Sequence, residues 1–162
     1  MSRFILAAFD GANNTSRIVT ERVDTNSEPK LILPNDRQKS VEVLNAAVKE
    51  HEPACVILLG QKPVICNKIA VETSAKLCGE VRHTNMDATT ITELIKGTGY
   101  GAYISDGCGT SYCNNIYHHA LGMGVNAVFL HVPCKKNVTD INALVKAVQA
   151  VTDGLAGVPA ML

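Results

Sequence analysis

Short apolar runs alternate with amphipathic stretches along almost the whole of this chain, and that alternation confines it to few folds. Apolar runs of strand length, each followed by a segment long enough to cross over, are what a mainly parallel sheet under helices requires. The runs read as strands at 4–8, 30–33, 54–59, 80–83, 101–105 and 127–131. Residues 37–51 predict a helix, with Val41, Leu44 and Val48 as its stripe and Asn35 or Asp36 as its cap. A second helix is expected over 87–96, opening at Asp87 and stopping at Gly97. A third runs from about 139 to 151 on Ile141, Leu144, Val145, Val148 and Val151, capped by Thr139 or Asp140. Residues 14–23 fit neither period, because Ile18, Val19 and Val23 suit helix and strand equally poorly. The expected fold is α/β: one domain over residues 1–162, three-layer α/β/α, with a mainly parallel twisted sheet covered by helices on both faces.

Composition narrows the function. Acidic and basic side chains balance at 15 each, which leaves no electrostatic footprint for nucleic acid or an anionic membrane. No apolar run approaches a membrane span, and Met1-Ser2-Arg3 leads into a strand without a signal-peptide cleavage pattern. The six cysteines (55, 66, 78, 108, 113 and 134) form no CxxC pair and no framework spacing, so reduced thiols in a cytoplasmic protein are expected. No cofactor motif and no zinc module is legible, and no metal is expected; His118 and His119 should turn away from Cys113 on a helix.

Chemistry concentrates in Ser105 to Tyr117, S-D-G-C-G-T-S-Y-C-N-N-I-Y. It reads as a strand end, a turn of small residues around Gly107 and Gly109, and then a helix opened by Cys113 and carried by Ile116, Tyr117, Ala120 and Leu121. A thiol at a helix start meets unpaired N–H groups and the positive end of the helix dipole, which favour thiolate. Eighteen residues later, His131 ends the next apolar run in F-L-H-V-P. Cysteine and histidine at neighbouring strand ends are the minimum kit for thiol-based acyl transfer. In an open parallel sheet, the loops after Ala8, Leu59, Ser105 and Leu130 would open along one edge, where ligands bind.

These residues resemble the pyroglutamyl peptidase I (pyrrolidone-carboxylate peptidase) family of cysteine peptidases. That family's nucleophile motif, S-x-x-A-G-x-Y-x-C-N, is matched by Ser105 to Asn114, and its F-I-H-V-P by Phe129 to Pro133. His51 to Gln61 is similar to the strand leading into G-Q-A-G-G-R, and Phe4 to Gly11 to the V-L-V-T-G-F-E-P-F-G-G opening. The resemblance implies that Cys113 attacks the carbonyl after an N-terminal pyroglutamate while His131 exchanges its proton. It implies no cofactor, a small N-blocked peptide as substrate, and a homo-oligomer. Gln61 and Phe9 would recognise the pyrrolidone ring.

Departures from the family pattern fall in the loops. The opening loop is reduced to Phe9-Asp10-Gly11, Ser111 replaces a tyrosine, the G-G-R after the glutamine is absent, and a long R-I-P-D-N segment shrinks to about 73–82. The family's glutamate lies in E-R-V-A-I-N. Aligned on Asn67-Lys68-Ile69-Ala70-Val71-Glu72, it puts Asn67 in the third catalytic position, where an amide orients the imidazole without adding charge. Glu72 would take that position through a shifted register, and a site with no third member is the remaining alternative. Two further functions compete: a related thiol hydrolase of different small-amide specificity, and a binding or assembly protein that keeps the fold without the activity.

Overall fold

The computed structural model describes residues 1–156. In chain order it comprises β1 (Phe4–Phe9), α1 (Thr15–Arg22), β2 (Lys30–Leu33), α2 (Arg37–His51), β3 (Cys55–Lys62), β4 (Lys68–Glu72) and β5 (Ser74–Leu77). There follow β6 (Glu80–His83), α3 (Ala88–Lys96), β7 (Gly101–Ser105), α4 (Tyr112–Leu121), β8 (Asn126–Pro133) and, after a 3-10 turn at Lys135–Asn137, α5 (Ile141–Ala156). Six strands form the central sheet in the order β2-β1-β3-β8-β4-β7. All its pairings are parallel except β4 with β8, which is antiparallel.

Alternation along the strands splits the core in two. On one face Leu6, Ile57, Val71 and Leu130 pack under Val19 of α1, Ile91 and Ile95 of α3, and Leu144 and Val148 of α5. On the other, Ile5, Ala7, Leu58 and Phe129 pack under Leu44 and Ala47 of α2 and Ile116, Tyr117 and Ala120 of α4. The expected three-layer α/β/α architecture is the observed one.

Capping explains where the helices start. Asp36 accepts from the N–H groups of Gln38 and Lys39, and Asp87 from those of Thr89 and Thr90. Asp140 accepts from the Asn142 N–H at the start of α5. The ambiguous segment 14–23 is a helix, because Asn14 caps it through the Ser16 N–H while Thr15, Ser16, Val19 and Thr20 are buried. Three of those four buried residues are polar, and that blurred its period.

Three expectations are corrected. Residues 68–72 and 74–77 are strands that the sequence reading passed over. The strand at 80–83 exists but lies outside the main sheet, in a two-stranded antiparallel ribbon with β5. Finally, β7 runs with β4 and against β8, so Ser105 does not emerge at the same sheet edge as His131. Ser105 instead pairs with Glu72, which in turn lies opposite Phe129.

The ribbon is tied to α4 by one buried amide. Asn114 accepts from the Lys76 N–H at 3.1 Å and donates to the Lys76 carbonyl at 2.7 Å, so its side chain pairs with β5 as another strand would. Losing two such bonds costs about 2 kcal/mol. Asn114→Ala is therefore expected to accelerate amide exchange across residues 74–83 while leaving β1 and β3 protected, read by hydrogen-exchange mass spectrometry.

Candidate thiol site

Cys113 is the second residue of α4, and the turn before it is held from three sides. The Gly107 N–H donates to the Ser105 hydroxyl (3.1 Å), Lys62 donates to the Gly107 carbonyl (2.9 Å) and Arg37 to the Thr110 carbonyl (2.9 Å). Cys108 anchors the middle of the turn in the apolar layer under α4. Gly109 supplies the left-handed backbone the turn needs, at φ +91. Ser111 makes no side-chain cap bond, so the first-turn N–H groups of α4 are left for another acceptor.

Gly60 explains where the sulfur sits. A Cβ on Gly60 would fall 2.5 Å from the Cys113 Sγ and 2.7 Å from the Phe129 ring, so the thiol rests on bare β3 backbone. Gly60 pairs directly with His131 across β3 and β8. Paired positions of neighbouring strands share a face, so Cys113 and His131 stand on the same side of the sheet.

His131 is 3% exposed. Its ring packs on Phe129, with centroids 4.7 Å apart, and its Nδ1 lies 3.0 Å from Glu72 Oε1. With Nδ1–H donated to the carboxylate, Nε2 is left as the free acceptor. Glu72 ends β4 and is fully buried. Its Oε1 also receives Lys62 Nζ at 3.3 Å, its Oε2 accepts from the Ser105 hydroxyl at 2.7 Å, and its carbonyl accepts from the Tyr117 hydroxyl at 2.7 Å. Burial pushes the Glu72 carboxyl upward. Hydrogen bonds from His131 and Ser105 and the charges of His131 and Lys62 outweigh it, holding the group below the usual glutamate range.

The thiol behaves otherwise than the helix start alone suggests. Burial pushes Cys113 up to about 12, and the nearby Glu72 charge adds to the rise, against a smaller lowering by its own backbone N–H. Burial thus opposes the thiolate that the helix start favours.

The predicted site residues divide. Cys113 and His131 are brought onto one face. Asn67 is not beside His131: its Nδ2 donates to the Thr139 hydroxyl and its Oδ1 accepts from the Thr139 N–H, each at 2.9 Å. Both ends of that amide are spent on fastening the turn before α5, and Glu72 occupies the position against the imidazole. Gln61 accepts from the Thr15 N–H at 3.1 Å, on the face covered by α1. Phe9 shares the face of Cys113 but is 3% exposed, filling the end of the sheet.

Sequence reasoning missed Lys62 and Ser105 and ranked Glu72 second. A signal for Glu72 was present. Set against E-R-V-A-I-N from its first letter, Glu72-Thr73-Ser74-Ala75 keeps both the acid and the alanine. His118 and His119 point away as expected. His119 Nε2 meets Asn45 at 2.7 Å, while His118 Nε2 lies 3.3 Å from Glu80 at an angle too poor for a hydrogen bond. Among the described residues no cluster of histidine, cysteine and carboxylate side chains is grouped to hold a metal.

A carboxyl whose folded value is depressed adds stability above its unfolded value, about 4.3 for glutamate, and loses it as pH falls through the folded value. Denaturant titrations of the wild type and Glu72→Gln should therefore differ most above about pH 5 and converge progressively in more acidic buffer.

No family model matches the chain. Pyrrolidone-carboxylate peptidases of Mycobacterium tuberculosis and Mycobacterium bovis are 29% identical over 142 residues, covering 68% of this chain. The chain spans 64% of the length of those relatives. Among solved structures, pyroglutamyl peptidase I from Bacillus amyloliquefaciens superposes with a TM-score of 0.84 at 22% identity, covering 98% of this chain and 97% of that one. Pyrrolidone carboxyl peptidase from Thermococcus litoralis does so with a TM-score of 0.79 at 20% identity, covering 96% and 93%. The chain is thus similar in sequence to pyrrolidone-carboxylate peptidases and shares the fold of the solved ones.

Proposed function

We propose that this chain is a cysteine omega-peptidase that removes an N-terminal pyroglutamyl residue by thiol acyl transfer. The observation that carries the reading is the buried Glu72–His131 contact of 3.0 Å on the sheet face where the Cys113 sulfur lies over Gly60. That ordering of carboxylate, imidazole and thiol is what nucleophilic attack on an amide needs.

Cys113 Sγ attacks the carbonyl carbon of the bond after pyroglutamate, and its proton passes to His131 Nε2. The oxygen becomes an oxyanion within reach of the N–H groups opening α4, beginning with that of Cys113 itself. Glu72 holds the imidazole by Nδ1 and offsets its new charge. As the tetrahedral centre collapses, the carbon–nitrogen bond breaks and the imidazolium protonates the departing amine. Water, deprotonated by His131, then cleaves the thioester, releasing pyroglutamate and restoring the thiol. The step needs no cofactor. Pyroglutamate suits a small site because its lactam N–H and C=O bear no charge; Phe9, on the thiol's face, is its recognition candidate, while Gln61 could contribute only by releasing Thr15 on the other face.

The same reading gives a cytoplasmic protein acting on small N-blocked peptides, with no nucleic-acid or membrane partner. Balanced charge and free thiols at all six cysteines support it. No helix among the described residues is long and apolar enough to cross a membrane. A homo-oligomer is part of the proposal, supported by exposed Ile104 on the edge strand β7 and by Val64. Light scattering should give a mass above that of one chain, and a strictly monomeric solution would remove this part.

Purified protein is expected to release the fluorophore from a pyroglutamyl amide. Cys113→Ala should abolish release, Glu72→Gln should lower kcat by roughly 100-fold or more, and Asn67→Ala should stay within about twofold of wild type. Full turnover by Cys113→Ala, or equal losses in the Asn67 and Glu72 variants, would reject the assignment.

A further inference from the structure

One lysine grips the same carboxylate oxygen that orients the site histidine. Lys62 Nζ and His131 Nδ1 approach Glu72 Oε1 at 3.3 and 3.0 Å. The same ammonium donates to the Gly107 carbonyl at 2.9 Å, within the turn that presents Cys113. A single side chain thus joins the acid that holds the base to the loop that carries the nucleophile. It is not an ordinary surface pair, since Glu72 is fully buried and the Lys62 side chain is only 23% exposed. In the G-Q-A-G-G-R motif the residue after the glutamine is alanine, so the ammonium is a departure made by this chain.

We infer that Lys62 is a positioning residue of the thiol site, its ammonium sharing Glu72 Oε1 with His131 while it holds the Gly107–Cys113 turn in place. The inference rests on the thiol-hydrolase reading above. Facing Glu72 and His131 are Lys62 from β3, Ser105 from β7, Phe129 from β8, and Cys108, Cys113 and Tyr117 from the turn and α4. Of these, Lys62 is the only basic side chain. A cation on the shared oxygen opposes a second cation on the imidazole and dilutes the carboxylate's support for it. Removing the lysine should therefore favour the imidazolium, so that the base becomes free only at higher pH.

The test measures two rates against pH in the whole protein: alkylation of Cys113 by iodoacetamide, followed by mass spectrometry, and turnover of a pyroglutamyl amide. Lys62→Met keeps the stem and removes the charge, and Lys62→Gln is a second variant with the same expectation. In either, the acidic limb of both profiles should move upward by about half to one pH unit, with a several-fold loss on that limb. Lys62→Arg should restore the limb. In a Glu72→Gln background the Lys62→Met shift should change in size, because the shared carboxylate through which the two side chains are coupled no longer carries charge. An unmoved limb in a wild type that turns substrate over overturns the inference and leaves the proposed function standing. Equal loss at every pH, without rescue by arginine, reduces Lys62 to packing and also overturns it. A wild-type Cys113 that alkylates like an isolated thiol and turns nothing over rejects the underlying reading itself.

Discussion

A buried carboxylate organises this molecule. Placing an ionised glutamate at zero exposure between two strands is costly unless its charge is matched and both its oxygens are bonded. Glu72 meets that requirement with a histidine and a lysine on one oxygen and a serine on the other, while a tyrosine hydroxyl holds its carbonyl. Each partner comes from a different element: β8, β3, β7 and α4. The reversed direction of β4 follows the same logic. Running against β8, it ends level with Phe129, and its last side chain lies two residue pairs away from that of His131, on the same face. The antiparallel strand in an otherwise parallel sheet is thus where the acid enters the site.

Much of the architecture was legible because the apolar runs are short and the caps are explicit. The helix at 37–51 coincides with α2, and Asp87 marks the start of α3. What escaped notice was whatever did not bury a clean apolar face. The strand β4 reads K-I-A-V-E, with a lysine at one end and a buried acid at the other, so neither apolar length nor polarity announces it. The ribbon strand β5, S-A-K-L, is too short and too mixed to stand out, and β6, although expected at 80–83, pairs with β5 rather than with the sheet. In the site, the cysteine and histidine were readable from their turn and strand-end positions. The third member was not, because Asn67 and Glu72 flank one strand and only coordinates show which end meets His131. Lys62 and Ser105 act through contacts distant in sequence, which no local pattern reports.

Two effects compete at the nucleophile, and their sizes decide the outcome. The first turn of a helix lends a nearby anion about 0.3–1 kcal/mol, rising to about 2 in favourable partly buried settings. Against it, burial and the neighbouring Glu72 charge lift Cys113 to about 12, a penalty on thiolate of several kcal/mol. Burial wins in the resting state. The dipole and the open N–H groups of α4 are then worth most where negative charge is transient, at the oxyanion, since donors fixed in advance need no reorganisation when the charge appears. The helix start therefore serves the carbonyl oxygen more than the sulfur.

Departures from the family motifs lie in loops rather than in the elements that carry Cys113, His131 and Glu72. The thiol, imidazole and carboxylate stand on α4, β8 and β4, and the superposition with the longer-known fold covers nearly all of the chain. The segments that differ from the family motifs are the loop after β1, the loop after Gln61 and the stretch now folded as the β5–β6 ribbon. Rigid elements that carry the reacting groups tolerate changes in the loops around them, because loops contribute contacts to the substrate more than geometry to the nucleophile. On the proposed reading, differences in such loops would alter uniform binding before transition-state stabilisation, and so KM before kcat. Lys62 occupies the position vacated by a small residue at the head of one trimmed loop, and its bond to the Gly107 carbonyl gives the nucleophile turn a brace from within the site itself.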